Sequence, residues 1–221
     1  MKPYYDHGGI TIYHGDCRDV LPGLAKPEIG AVVTDPPYGL DYQSGRSSYM
    51  YGDMAAYREK IANDDDTSAR DQIIEWAGDV PCLIFGSWKV TRPPTTRALL
   101  IWDKGEASGM GDLSIPWKPS HEEIYVIGTG FHGHRGGAVL RAYVPARVSM
   151  GRLHPNEKPV KLLVQLIQKC PAGAILDPFM GSGSTLRAAK NLGRRAIGIE
   201  LEERYCEVAA RRLSQEVMEF A

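Results

Sequence analysis

The chain has 221 residues, of which 43% are hydrophobic and 24% are charged, as is typical of a globular protein with a sizeable core. The formal net charge of −1 does not indicate a nucleic-acid-binding protein, although the charge is unevenly spread. The four cysteines form no CxxC pair, which argues against a disulfide framework or a zinc site.

No apolar run approaches the roughly 18 residues that a membrane helix needs. The N-terminal residues also lack the apolar core of a signal peptide, so we expect a cytoplasmic protein with reduced thiols and no membrane partner. The sequence has no internal repeat, low-complexity tract or break in composition. We therefore expect a single domain spanning residues 1–221.

Short apolar runs rich in β-branched residues alternate with helical patterns along the chain. The predicted strands are 10–16, 31–35, 82–87, 99–103, 123–128, 174–177 and 196–200. The predicted helices, in which apolar residues recur every three or four positions, are 69–77, 159–169, 183–192 and 202–217. This alternation predicts an α/β protein with a mostly parallel sheet and helices on both faces.

A rigid polar corner follows the strand 31–35, where the chain continues as Asp35-Pro36-Pro37-Tyr38. An ordinary turn is one interpretation, because Asp and Pro are common turn residues. However, the prolines cannot donate hydrogen bonds, so the Asp35 carboxylate and a free carbonyl could together accept both hydrogens of an exocyclic NH₂ group. Tyr38 offers a flat face to a planar base, and an enzyme that acts on an extruded base needs this combination.

Two long segments interrupt the alternation of strands and helices: 39–68, rich in Gly, Ser, Tyr and Asp, and 128–153, rich in Gly, Arg and His. Loops of this length in an α/β domain are more often functional than structural, so we expect both to contact substrate. Residues 132–161 carry six bases against one acid, and such a stretch can hold phosphates, although a solvated face is the alternative.

Two further sets of polar residues carry simpler interpretations. His132 and His134 have no second ligand cluster at suitable spacing, so a metal site is not expected. Arg211 and Arg212, on the last predicted helix, are interpreted as solvated.

The sequence ILDPFMGSGST (175–185) ends a strand in an acid, turns through glycines and opens a helix. Glycines let the backbone approach a ligand, and a helix N-terminus supplies free N–H groups. The next strand ends at Glu200, whose carboxylate suits the two hydroxyls of a ribose. Residues 175–186 contain no base and no GK[ST] ending, which favours an adenosine with little negative charge over a phosphate. A glycine-rich turn with an incidental acid is the alternative.

With these motifs the sequence resembles the amino-methylating DNA methyltransferases that use S-adenosylmethionine, the N6-adenine/N4-cytosine family. DPPY looks like their catalytic motif and DPFMGSGST like their FxGxG cofactor loop, in the order of the circularly permuted β group. The likeness extends to GDC (15–17), HEEIYV (121–126) and HPNEKPVKLL (154–163), and so covers nearly the whole chain. The resemblance implies a Rossmann-like methyltransferase fold with a permuted motif order.

The resemblance also implies roles for individual residues. The catalytic set is Asp35, Pro36, Pro37 and Tyr38. The residues that would surround the methionine part of S-adenosylmethionine or lie near its carboxylate are Asp177, Phe179, Gly181, Gly183, Ser184 and Thr185. Glu200 would take the ribose hydroxyls, and Asp16 would contact the adenine end. Asn156 and Lys158 would close over the methionine moiety, although a solvated lysine is the alternative for Lys158.

The implied reaction is direct methyl transfer to an exocyclic amine of a flipped-out base in double-stranded DNA, as in restriction–modification systems. Hydrogen bonds from the amine to Asp35 and to the Pro36 carbonyl would draw its nitrogen toward a tetrahedral shape, without a covalent enzyme intermediate. In this family Asp at the first motif position is more common for adenine N6 and Ser for cytosine N4. We therefore expect an N6-adenine methyltransferase.

Three alternatives to the N6-adenine activity stay open. They are an N4-cytosine methyltransferase, a DNA-binding regulator that keeps the fold without catalysis, and an enzyme acting on an amine or amide of protein or RNA. Members that methylate protein glutamine usually carry Asn at the first motif position, whereas this chain has Asp35.

The DNA-contacting region is short for this family, in which many tens of residues usually separate the motifs resembling HEEIYV and HPNEKP. Only residues 128–153 are available here. We expect phosphate contacts from the arginines of this region, namely Arg135, Arg141, Arg147 and Arg152. Loop 39–68 or a second subunit of a homodimer could supply further contacts.

Overall fold

The computed structural model describes residues 1–39, 66–105, 113–142 and 157–215, which form one sheet with helices packed on both faces. The strands are β1 Tyr5–His7, β2 Ile10–His14, β3 Ile29–Thr34, β4 Cys82–Gly86, β5 Thr96–Asp103, β6 His121–Ile127, β7 Val139–Arg141, β8 Ala174–Asp177 and β9 Ala196–Glu200. The helices are α1 Cys17–Val20, α2 Ser68–Ala77, α3 Val160–Ile167, α4 Ser184–Asn191 and α5 Glu203–Ser214, with short 3-10 turns at Leu21–Gly23 and Lys26–Glu28.

The strand order across the sheet is β1-β2-β9-β8-β3-β4-β6-β5-β7. The parallel neighbours are β2/β9, β9/β8, β8/β3, β3/β4 and β5/β7, and the antiparallel neighbours are β1/β2, β4/β6 and β6/β5. This confirms the mostly parallel mixed sheet. Every residue of the central strands β3 and β8 is buried, so both are mainly apolar in the sequence, and each ends in a buried polar residue, Thr34 and Asp177 respectively.

The two faces of the sheet bury different sets of helices. Ala31 and Val33 of β3 pack in the same core cluster as α3, α4 and α5, whereas Val32 packs in the cluster that contains residues of α1 and α2. Successive side chains of a strand point to opposite faces, so this alternation divides β3 between the two layers.

The strands at the centre of the sheet are parallel, but the direction in which the chain moves across the sheet changes there. From β3 the chain continues to β4 on one side, and from β8 it continues to β9 on the other. The crevice between the carboxyl ends of β3 and β8 is therefore a topological switch point, the place where open α/β sheets bind ligands.

The structure contains short elements that the sequence patterns do not predict, namely β1, β7 and α1. The strand β7 lies inside the predicted loop 128–153 and pairs in parallel with the end of β5. Three-residue strands show too little alternation to be recognised, and their pairing depends on the neighbouring strand. Residues 40–65 of the other predicted loop lie outside the described residues, and Ser68 at its end begins α2.

Within the described part of the chain, no helix is long and apolar enough to cross a membrane.

Candidate active site

The candidate residues lie along one edge of the sheet, where the parallel strands have their carboxyl ends. Glu200 ends β9, Asp177 ends β8, and Asp35 follows the last residue of β3. Because β6 is antiparallel to β4, its second residue, Glu122, lies at the same edge. The carboxyl end of β5 is there as well, and Lys104 follows it. The strand order thus gathers residues that are far apart in the sequence.

Asp35, the first residue of the DPPY corner, is held by two donors. Its Oδ1 accepts a hydrogen bond from the Tyr38 hydroxyl at 2.6 Å, and its Oδ2 accepts one from Lys158 Nζ at 2.5 Å. Pro36 is buried, and Pro37 and Tyr38 are partly buried. The Tyr38 hydroxyl is therefore bonded to Asp35, and Lys158, which the resemblance assigns to the cofactor, is paired with the DPPY corner.

Lys158 belongs to an alternating series of charged side chains that we call the charge chain: Lys104, Glu122, Lys158 and Asp35. Lys158 Nζ lies 3.1 Å from Glu122 Oε2, and Lys104 Nζ pairs with Glu122 Oε1. Only 9% of the Lys158 side chain is exposed, so the solvated-lysine alternative is wrong. No role was assigned to Glu122 from the sequence, although it belongs to the HEEIYV motif.

Aromatic rings enclose the ammonium group of Lys158. Its Nζ lies 5.1 Å from the ring centroid of Phe85, 5.8 Å from that of Tyr38 and 5.9 Å from that of Trp102. A cation over ring faces gains electrostatic attraction, and the rings exclude water from the ion pairs.

The charge chain shifts the pKa values of its members. Burial raises the pKa of Asp35 above its usual value, although the Lys158 ammonium opposes this rise. Burial would also raise the pKa of Glu122, but the ammonium groups of Lys158 and Lys104 outweigh it and hold that pKa below its usual value. Burial would lower the pKa of Lys158, yet its two carboxylate partners raise it. Lys158 and Glu122 therefore remain charged at neutral pH.

Asp177 lies beside this corner on the neighbouring strand. Its Oδ1 accepts a hydrogen bond from Thr34 Oγ1 at 2.7 Å and one from the backbone N–H of Phe179 at 3.2 Å, and the Thr185 side chain also hydrogen-bonds to this carboxyl group. Burial raises the pKa of Asp177 to about 6. The hydrogen bond to Thr34 joins the strand end that precedes Asp35 to the strand end that opens the glycine loop.

The glycine loop turns into α4 through left-handed backbone, with φ of 50° at Gly181 and 80° at Gly183. The N-cap residue of α4 is Gly183, which has no side chain to cap the helix. The N–H groups in the first turn of α4 can therefore bind an anion. A Cβ at Gly183 would lie 2.9 Å from the Cβ of Ala209, so glycine lets α5 pack closely against the loop.

This packing brings Arg212 of α5 to the start of α4. Arg212 Nη1 lies 2.6 Å from Glu157 Oε1 and 3.2 Å from Ser184 Oγ, and 19% of the arginine side chain is exposed. The interpretation of Arg212 as solvated is therefore wrong. Although residues 175–186 contain no base, the fold supplies one from another helix.

Glu200 and Asp16 occupy the next two strand ends. Glu200 Oε2 accepts the Gly181 N–H at 2.9 Å and Oε1 accepts the Glu202 N–H at 2.8 Å, which leaves each oxygen a second lone pair for a hydroxyl. Asp16 caps α1 by accepting the Arg18 N–H at 2.9 Å, and it pairs with the Arg18 guanidinium. The backbone bond from Gly15 N–H to the Glu200 carbonyl, 2.9 Å, holds the two strand ends together.

Two of the predicted DNA-contacting arginines, Arg135 and Arg141, belong to the described residues, and they lie near opposite edges of the sheet. Arg141 ends β7 at the carboxyl edge, where Nε lies 3.3 Å from Asp103 Oδ2 and 71% of its side chain is exposed. Arg135 is exposed and lies three residues after His132. The backbone N–H of His132 binds the Lys169 carbonyl at 3.0 Å, near the edge of the sheet opposite to the carboxyl ends of the parallel strands. Arg147, Arg152 and Asn156 lie outside the described residues. In the described ranges, no group of three or more His, Cys, Asp or Glu side chains could hold a metal ion.

Comparisons with known proteins agree with this arrangement. Residues 128–211 match the N6/N4 family model described as DNA methylase. The chain is 29% identical over 215 residues to the putative methylase YubD of Escherichia coli (strain K12), covering 90% of this chain and 88% of that protein. It is 24% identical to the type II methyltransferase M.ScaI of Streptomyces caespitosus, covering 97% of this chain and 84% of the relative.

Solved structures share the fold. The crystal structure of the M1.HpyAVI–SAM complex superposes with a TM-score of 0.62 at 22% identity, covering 92% of this chain and 99% of that one. The PvuII DNA methyltransferase, cytosine-N4-specific, superposes with a TM-score of 0.65 at 16% identity, covering 99% of this chain and 91% of that one. The α/β fold with a mostly parallel mixed sheet is thus a methyltransferase fold.

Proposed function

We propose that this chain, which belongs to the N6/N4 DNA methylase family, transfers a methyl group from S-adenosylmethionine to the N6 amine of adenine in double-stranded DNA. The observation that supports this most directly is the 2.7 Å hydrogen bond between Thr34 Oγ1 and Asp177 Oδ1. It ties the corner that accepts an amine to the loop that binds a cofactor, at the switch point where the fold binds ligands.

The described residues fit S-adenosylmethionine. The uncapped start of α4 and the nearby Arg212 guanidinium suit its carboxylate. Glu200 retains lone pairs for two ribose hydroxyls, and Asp16 lies at the adjacent strand end, toward which an adenine could extend. When bound, this cofactor supplies a methyl group on a positively charged sulfur.

The DPPY corner would orient the substrate amine. The Asp35 carboxylate and the Pro36 carbonyl accept its two hydrogens, which localises the nitrogen lone pair and aims it across the gap between β3 and β8. The raised pKa of Asp35, caused by burial, also makes its carboxylate a better acceptor for the proton that the amine loses on methylation. Tyr38 and Lys158 fix the orientation of that carboxylate.

Direct transfer without a covalent enzyme intermediate is supported by the state of the cysteines. All four are buried, and burial raises the pKa of Cys17 to about 11 and those of Cys82, Cys170 and Cys206 to about 12. Thiols with such pKa values stay protonated at neutral pH and are poor nucleophiles.

Adenine is favoured over cytosine by Asp35 at the first motif position, since the resemblance associates Ser there with cytosine N4. The fold does not separate the two bases, because a cytosine-N4-specific enzyme shares it. The single catalytic domain 1–221, a DNA contact by loops 39–68 and 128–153, and contacts from a second subunit remain parts of this proposal.

The test is incubation of the protein with unmethylated DNA and S-adenosylmethionine labelled on the methyl group, followed by digestion of the DNA to nucleosides. We expect label in N6-methyladenine. Label in N4-methylcytosine would refute the choice of base, and unlabelled DNA together with normal cofactor binding would favour a regulator that has lost catalysis. Asp35→Asn should lower incorporation by at least about a thousandfold while cofactor binding, measured by calorimetry, is retained.

A further inference from the structure

Glu122 is the centre of the charge chain, because three donors from three different parts of the fold meet its carboxylate. Lys158 precedes α3, Lys104 follows β5, and Tyr38 belongs to the corner after β3. Lys158 Nζ and the Tyr38 hydroxyl both contact Glu122 Oε2, at 3.1 Å and 3.4 Å, while Lys104 contacts Oε1. Only 17% of the Glu122 side chain is exposed, so water competes little for these contacts.

Glu122 and Asp35 share the same two donors. Lys158 and Tyr38 each lie between the two carboxylates, at 2.5 Å and 2.6 Å from Asp35 and at 3.1 Å and 3.4 Å from Glu122. An ammonium group with two carboxylate partners divides its attraction between them. With one partner it would bind that partner alone, and the lone pairs of Asp35 would be less available to a substrate amine.

The groups that act on Asp35 in the described residues are few. Tyr38 and Lys158 contact it, Glu122 faces it across Lys158, and Asp177 lies at the end of the neighbouring strand. The negative charge of Glu122 raises the pKa of Asp35, and the positive charge of Lys158 lowers it. Glu122 and Lys158 therefore act on the acceptor in opposite directions.

We propose that Glu122 is a positioning residue, which draws the Lys158 ammonium and the Tyr38 hydroxyl partly away from Asp35 and so keeps the Asp35 carboxylate available to the substrate amine. This inference rests on the proposed methyltransferase function. It assigns a role to a glutamate that does not itself touch the amine, and it explains why an ammonium group can lie against the amine acceptor without blocking it.

The experiment measures kcat/KM for DNA methylation against pH, because the acid limb of that profile reports the ionisation of the acceptor in the free enzyme. Glu122→Gln should lower kcat/KM at pH 8 by at least about tenfold and move the acid limb to lower pH. Lys158→Gln should move the acid limb to higher pH. Opposite displacements are expected because the two charges act on Asp35 with opposite sign, and loss of packing alone would not produce them.

Glu123→Gln is the matched control. Glu123 is the next residue of β6, is 2% exposed and pairs with Arg92 at 2.6 Å, but it lies on the other face of the sheet and does not contact the charge chain. The Glu123→Gln variant should lose stability as Glu122→Gln does, but the acid limb of its pH profile should stay where it is in the wild type. Displacement of the acid limb in Glu123→Gln, or an unmoved limb in Glu122→Gln, would overturn the inference.

A second variant keeps the test decisive if Glu122→Gln does not fold. Lys104 is 28% exposed and contacts Glu122 rather than Asp35. Lys104→Gln leaves the Glu122 carboxylate to Lys158 and Tyr38 and should move the acid limb to higher pH. An unmoved limb in this folded variant would also overturn the inference. Absence of methylation by the wild-type protein would instead refute the proposed function, so the two failures are distinguishable.

Discussion

Asp177→Asn is expected to stabilise the folded protein at neutral pH, although the substitution changes a buried residue of the glycine loop. The side chain is 3% exposed, and burial raises the pKa of its carboxyl group from 3.8 to about 6. The folded protein therefore binds a proton at this site more tightly than the unfolded chain does. Ionisation of Asp177 costs stability, and this cost grows as the pH rises from about 4 to about 6.

The magnitude follows from the two pKa values. Their difference of about 2 pH units corresponds to about 3 kcal/mol of lost stability once the pH exceeds both values. An asparagine carries no charge and its amide oxygen can still accept from Thr34 Oγ1 and from the Phe179 N–H. The variant should therefore gain up to about 3 kcal/mol at pH 8, or about 2–4 °C in Tm for each kcal/mol at this chain length.

The assay is urea denaturation of the wild type and the variant at several pH values between 4 and 8. The advantage of Asp177→Asn should be near zero at pH 4, increase through the window between about 4 and 6, and stay constant above it. Asp79→Asn, at an exposed position, is the control and should give a small difference. A difference that does not change with pH, or a variant less stable than the wild type at pH 8, would refute the reasoning.

Three further predictions concern ligands and the reaction. Arg212→Gln should weaken S-adenosylmethionine binding by about tenfold in calorimetry, because a charged donor beside Ser184 is lost. Arg211→Gln, at an exposed position on the same helix, should bind the cofactor normally. If Arg212→Gln binds the cofactor as tightly as the wild type does, Arg212 is excluded from the cofactor site. Arg141→Gln should reduce the slope of log K for DNA binding against log salt concentration by about 0.9. Arg97→Gln, at the opposite edge of the sheet, is the control and should leave the slope unchanged. An unchanged slope in Arg141→Gln would show that Arg141 does not contact a phosphate. Asp35→Asn should retain cofactor affinity within about twofold while methylation is lost, so an equally large loss of affinity would contradict its assignment to the amine.

Local pattern carries much of the information about this fold. The strands Ala174–Asp177 and Ala196–Glu200 agree with the predicted ranges because a short buried strand is one continuous apolar run. The strand β7 was missed because its three residues show no pattern without the neighbouring β5.

The two motifs can be recognised from the amino-acid sequence alone, since the DPPY corner and the glycine loop each consist of consecutive residues that follow an apolar strand. Their backbone chemistry does not depend on distant parts of the chain: prolines remove donors, and glycines allow a positive φ before a helix. The resemblance carried by these motifs therefore implies a family and a cofactor class without reference to any tertiary contact.

Which charged side chains pair with one another depends on how the whole chain packs. Lys158 and Asp35 are 123 residues apart, and Arg212 and Glu157 are 55 apart. Lysine, glutamate and arginine are exposed in most positions, so their types alone favour a solvated interpretation. The strand order and the close packing of α5 at Gly183 desolvate these particular side chains, and desolvation is what forces each charge to find a partner.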